Sequence, residues 1–294
     1  MISQNHISNS PIVDLLGEDP RAIFTSNGYF TVPLGVKQIF IAMAGGGGGG
    51  AVPNGAWASG GGGGGGVLIG YYKVTPGETI DVRVGEGGRG APTSNFGLDG
   101  GTTVFGNLMA FGGQGGHHGT STTDGGHGGN GGGAQGFVFL PSGIVLPQGT
   151  AGEQKRTQSM ASTTASPSWY SSNTFPMPGQ DHNGSAGAPG SYSGGGGAAT
   201  RYEQIGKWNR GGSGLTGGGC GSLHPTDANG RDHGAGWGGA GLLQAGQEPY
   251  GMMTSTYAKC NGGSGGAGGG GGAAGCGSNQ YGGQGGDGVV MIWG

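Results

Sequence analysis

The sequence predicts a mostly β and irregular fold with little or no α-helix, in which a small antiparallel β module joins a bundle of packed polyglycine II helices. Three observations point there. Glycine takes 84 of the 294 positions and recurs in triplets, as in Asp124-Gly-Gly, His127-Gly-Gly and Asn130-Gly-Gly, and again in Asn261-Gly-Gly, Ser264-Gly-Gly and Ala267-Gly-Gly. A period of three belongs to neither the α-helix nor the strand, whereas polyproline II geometry has three residues per turn and leaves its backbone groups free to bond sideways. Runs rich in β-branched and aromatic residues flank the glycine blocks at both ends of the chain. Only 9% of residues are charged, while five Trp, nine Tyr and nine Phe are present, the reverse of the composition that keeps chains disordered. The glycines therefore read as a building material and not as a flexible linker.

Taken in order, residues 1–28 form a polar arm with one short helix near 13–16, stopped by Gly17 and kept short by Pro20. This arm is read as an attachment segment, with Ile12, Val13, Leu15 and Leu16 as its candidate contacts. Strands follow at 29–32, 37–44, 67–74, 79–84 and 102–111, defining an antiparallel β module over 29–113. Thr75-Pro76-Gly77-Glu78 carries Pro and Gly where a type II turn asks for them. The glycine runs 45–50 and 60–66 serve as connections within this module.

From 114 to 288 glycine blocks alternate with longer inserts. A block of ten residues spans about 30 Å at a rise of ~3.1 Å per residue, so several such blocks can lie side by side. With two of every three side chains absent, neighbouring backbones approach closely enough to satisfy one another's N–H and C=O groups. The closing stretch 289–294 is a strand that returns to the β module.

Composition also excludes classes of function. The formal net charge is −3 and no basic run occurs, which argues against nucleic-acid binding. No apolar run nears the ~20 residues of a membrane span, and the start lacks a cationic segment followed by an apolar one, so neither membrane insertion nor a signal peptide is predicted. Cys220, Cys260 and Cys276 have no metal-ligand spacing and read as small buried thiols, with one disulfide as the alternative. Gly262-Gly-Ser264-Gly-Gly266 matches a nucleophile pattern but lacks its strand-turn-helix context. His117, His118, Asp124 and His127 could converge on an ion, yet the triplet period makes Asp124 and His127 a stripe along one helix face, which needs no metal. Glu153, Asp181, Glu203, Asp227, Asp232 and Glu248 offer carboxylates, with no spacing that pairs two of them for glycoside hydrolysis. No enzyme, cofactor or metal is predicted.

The inserts read as binding surfaces. Trp169, Tyr170 and Phe175 lie in 137–183 among Ser, Thr and Asn; Tyr202 and Trp208 lie in 200–210; Tyr250 and Tyr257 lie in 242–260. Aromatics set among small polar residues are what adaptable recognition loops use, and their rings can stack on sugars or anchor in protein pockets.

Phe30-Thr31-Val32-Pro33-Leu34-Gly35-Val36 is followed by Ile39-Phe40-Ile41-Ala42-Met43-Ala44 and six glycines. Gly65-Gly66-Val67-Leu68-Ile69-Gly70, Val74-Thr75-Pro76-Gly77-Glu78-Thr79-Ile80 and Val84-Gly85-Glu86-Gly87-Gly88 come next, then Gly100-Gly101-Thr102-Thr103-Val104-Phe105-Gly106 and Gly285-Gly286-Asp287-Gly288-Val289-Val290. This order of parts resembles the glycine-rich domain of bacteriophage tail and tail-fibre proteins. The second half is also similar to the adhesins at the tips of T-even-like long tail fibres, in which loops between polyglycine II helices bind the host. The resemblance implies a virion protein of the tail or tail fibre that recognises a bacterial surface protein or polysaccharide. It further implies other phage tail proteins as partners, and either a homotrimer or a single copy on a fibre trimer. A structural fibre subunit or decoration protein is the alternative it leaves open.

Overall fold

The computed structural model describes residues 19–52, 61–92, 96–117, 241–243, 246–247, 264–271 and 281–294, together with three short strand pairs between 138 and 261. Among these residues every regular element is a strand and none is a helix. The strands are β1 (Ala22–Phe24), β2 (Gly28–Thr31), β3 (Gln38–Ala44), β4 (Val67–Lys73), β5 (Thr79–Arg83), β6 (Thr103–Phe105) and β7 (Leu108–Ala110). The short pairs are β8 (Val138–Phe139) with β9 (Val145–Leu146), β10 (Thr200–Arg201) with β11 (His233–Gly234), and β12 (Tyr250–Met253) with β13 (Ala258–Asn261); β14 (Val289–Trp293) is last.

Two four-stranded antiparallel sheets, ordered β1-β14-β3-β4 and β2-β5-β6-β7, form a sandwich. Alternation along β3 sends Ile39, Ile41 and Met43 inward, where they meet Phe30, Ile80, Val82 and Phe105 of the other sheet and Val290 and Ile292 of β14. The opposite face of the first sheet is buried too, with Ala42, Ala44, Val67, Val289 and Met291 covered by Leu242. Burial on both faces explains why β14 is an unbroken apolar run, Val-Val-Met-Ile-Trp.

The strands depart from the sequence reading in two places. The stretch 102–111 is a hairpin, β6 and β7, because Gly106 turns the chain at a positive φ of 57°. Ala22–Phe24, inside the arm, is a strand because it pairs antiparallel with β14, Ala22 opposite Ile292 and Phe24 opposite Val290. The predicted helix near 13–16 lies outside the described residues. The turn at 75–78 forms as read, with Gly77 at φ 80° and the Glu78 N–H donating to the Thr75 carbonyl at 3.1 Å. Beside it, the Tyr72 hydroxyl donates to Asn107 Oδ1 at 2.6 Å. Burial, and then the Glu78 carboxylate, raise this phenol above its ordinary value of 10.0.

Glycine rods continue directly from the strand ends, all on one side of the sandwich. Segment 45–52 continues from β3, 61–66 leads into β4, 85–91 leaves β5, 96–102 enters β6, 111–117 leaves β7 and 281–288 enters β14. The rod 45–50 is the centre of the array. Its N–H groups donate in three directions in turn: Gly45 and Gly48 to Gly66 and Gly63, Gly46 and Gly49 to Gly101 and Leu98, Gly47 and Gly50 to Gly286 and Gly283, at 2.8–2.9 Å. Its carbonyls accept from three further rods, through the N–H groups of Gly88 and Ala91, of Gly113 and Gly116, and of Gly271.

The six surrounding rods are hydrogen-bonded to one another and close a ring. In order these are 61–66, 111–117, 96–102, 85–91, 281–288 and 268–271. Register fixes their direction: the three that accept from the centre run antiparallel to it and the three that donate run parallel, so directions alternate around the ring. A three-residue hydrogen-bond period with six neighbours is polyglycine II packing, realised in a single chain by antiparallel strands that feed it. The last ring rod begins at a turn, where the Gly269 N–H donates to the Gly266 carbonyl and Gly268 takes a φ of 78°.

Candidate functional site

The glycine rods have two unlike ends. At the sandwich end six of the seven rods are continuous with a strand and the seventh, 268–271, begins at a turn; buried Thr103 accepts the Gly85 N–H there through its Oγ1 at 3.0 Å. At the distal end the described chain leaves the bundle at residues 52, 92, 117 and 271 and re-enters it at 61, 96 and 281. Val52 and Ala91 are buried together there and fill the space between rod ends. Four rods thus end opposite the sandwich, while the chain is described again at 241–243 against the sandwich sheet. The first described residues lie at the sandwich base, where the Arg21 guanidinium donates to the Gly294 carbonyl.

Three rules of chemistry decide which positions on the rods carry side chains. On the central rod a Cβ would meet a backbone carbonyl oxygen on every face: 2.2 Å from that of Phe111 at Gly45, 2.2 Å from that of Glu86 at Gly46, 2.0 Å from that of Gly269 at Gly47. On four of the six ring rods every third position faces water, whereas 61–66 and 268–271 are buried throughout. Outward rows follow from the period: Phe111, Gln114, His117; Thr102, Asp99, Phe96; Glu86, Arg89, Pro92; and Asp287, Gln284, Tyr281, all exposed. Finally, ring rods have N–H groups that lack an outer rod, and two carboxylates meet this need. Asp99 Oδ1 accepts from Gly115 and Asp287 Oδ1 from Gly87, each at 2.7 Å and each across to the adjacent rod.

The distal level of these four neighbouring rows is a rim of ring-bearing side chains, His117, Phe96, Pro92 and Tyr281. The Phe96 and His117 rings lie 4.9 Å apart, tilted by 51°, and Pro92 is bridged to Tyr281 on the next rod. Phe96 is 44% and Tyr281 53% exposed. One step towards the sandwich the rows turn polar, with Gln114, Asp99, Arg89 and Gln284.

Of the residues singled out in the sequence, Trp169, Tyr170, Phe175, Tyr202, Trp208 and Tyr257 lie outside the described residues, as do Ile12, Val13, Leu15 and Leu16. Tyr250 opens β12, opposite Asn261. Cys260 lies in β13 opposite Gly251, whereas Cys220 and Cys276 are outside the described residues. His117 is at the rim; His118, Asp124, His127 and the six insert carboxylates are outside the described residues. Ser264 lies in an extended segment after β13, where its carbonyl accepts the Gln247 N–H at 2.7 Å. The rim itself was missed by sequence reasoning. Its signal is present: in Tyr281-Gly-Gly-Gln284-Gly-Gly-Asp287 and Phe111-Gly-Gly-Gln114-Gly-Gly-His117 the interrupting residue of each triplet is the outward one.

A family model for a glycine-rich domain spans residues 25–293, which takes in all seven rods and all of the sandwich but β1. The chain belongs to this glycine-rich domain family. No curated protein matches the chain.

Proposed function

We propose that this chain is a bacteriophage tail-fibre or tail-tip receptor-binding protein, an adhesin that recognises a bacterial surface protein or polysaccharide from the tip of a rigid polyglycine II scaffold. The observation that carries the reading is the polarity of the molecule. The first described residues lie at the sandwich base, and three of the breaks between rods, 52 to 61, 92 to 96 and 271 to 281, begin and end at the other end. An adhesin needs this division, with one end joined to the virion and connections gathered at the other for contact with a receptor. The motif order that resembles phage tail proteins supports it from the sequence side.

The mechanism is passive. Rods bonded to one another through their backbones hold the tip in place without a large apolar core, and repeated copies on a virion add avidity. Partners are then the bacterial receptor and other phage tail proteins, and the location is the virion tail. Purified protein competes with phage for adsorption on this reading. Unchanged adsorption at saturating protein assigns the chain instead to a structural role in the fibre.

A further inference from the structure

We propose that the distal rim formed by His117, Phe96, Pro92 and Tyr281 is a saccharide-binding ledge. The inference rests on the receptor-binding reading and names the receptor chemistry for one surface. Register puts the four residues at the same end of four consecutive rods, Gly97 paired with Gly116, Leu98 with Arg89 and Gly282 with Ala91. Their rings are therefore set side by side on the convex outside of the bundle, with Phe96 and Tyr281 about half exposed.

Aromatic faces carry negative π density and attract the polarised C–H groups on the apolar face of a pyranose ring. Sugar hydroxyls then need planar donors and acceptors close by. The exposed carboxylate of Asp99 and guanidinium of Arg89 supply both, one three-residue step or about 9 Å below the rim, within the span of a short oligosaccharide. The Asp99 side chain is already held by the Gly115 N–H, so it is ordered before any ligand arrives.

Competing ligands fit less well. The outward backbone groups of the rods recur every third residue and not in the alternating ladder that an added peptide strand pairs with, and rods closed into a ring leave no groove for a helix on their outside. Stacked nucleotides need a basic track, and a chain of net charge −3 without a basic run lacks one.

The test is binding of the full chain to a printed array of purified bacterial O-polysaccharides and capsular polysaccharides, run beside adsorption competition. Saturable binding to at least one polysaccharide is expected, weakened about two- to tenfold by Phe96→Ala and by Tyr281→Ala, and retained by Phe96→Tyr and Tyr281→Phe. Met109→Ala, on the sandwich surface, leaves it unchanged, and unaltered melting temperatures show that the variants are folded. In the unsubstituted protein the polysaccharide shifts backbone NMR signals at 96, 117 and 281 first. Absence of polysaccharide binding, or binding that a variant carrying both Phe96→Ala and Tyr281→Ala leaves intact, overturns the ledge. Competition for adsorption without polysaccharide binding sinks this inference alone, whereas loss of both sinks the receptor reading as well.

Discussion

In the sandwich, Phe30, Ile41, Val82, Phe105 and Ile292 fill the space between two sheets, whereas in the bundle the space between rods is filled by backbone alone. Both regions are densely buried, but they tolerate change differently. An apolar core loses stability in proportion to what is removed, because neighbours partly relax into a cavity. A backbone-packed core has nothing left to remove and no room to add, so every addition collides with a carbonyl that hydrogen bonds hold in place. The comparison teaches that side-chain cores fail by truncation and glycine cores by growth.

The largest effect is expected at the centre of the bundle. Gly47→Ala puts a Cβ 2.0 Å from the Gly269 carbonyl oxygen and 2.4 Å from its carbon, and is expected to cost more than about 4 kcal/mol and abolish cooperative folding, as read by soluble yield and thermal melting. Phe105→Ala, wholly buried in the sandwich, is expected to cost about 3–5 kcal/mol in urea unfolding while leaving a folded protein. Should Gly47→Ala be the milder of the two, the contrast between the regions is wrong. At the junction, Thr103→Val keeps shape but strands the buried Gly85 N–H, and about 1–3 kcal/mol is expected to be lost in the same assay. Smallest of all is Gln114→Ala, an outward position on a ring rod, expected to lie within about 0.5 kcal/mol of the parent. Gln114 and Gly47 belong to the same bundle, so the pair sharpens the rule that position on the rod, not membership of the bundle, sets the cost.

The sequence made the materials legible and left their arrangement hidden. Strands β3, β4 and β5 stand where β-branched runs placed them, and the Thr75–Glu78 turn forms for the reason Pro76 and Gly77 suggested. The hairpin at Gly106 was concealed because a single glycine inside an apolar run can equally be a strand residue. The uninterrupted runs 45–50 and 61–66 do connect β3 to β4, and they also form the centre and one side of the rod array. That was illegible from a period of three. The missing signal is run length: an outward-facing residue interrupts every third position on four of the ring rods, whereas a rod enclosed on all sides must be glycine throughout. Residues 45–50, 61–66 and 268–271 are buried along their whole length and contain glycine only. Which rods neighbour which follows from sheet order and register, and a local pattern does not carry that. The insert aromatics, Trp169 and Trp208 among them, lie outside the described residues, whereas the rim is built from described ones.

The central claim is that rod amides are held as firmly as strand amides. Native-state hydrogen exchange on a labelled sample, comparing Gly46, Gly47, Gly48 and Gly49 with Ile41 and Met43 of β3, tests it most directly. The account predicts equal protection, with both sets exchanging only through global unfolding. Exchange of the glycine amides orders of magnitude faster than those of β3, in a protein whose sandwich remains protected, would contradict it.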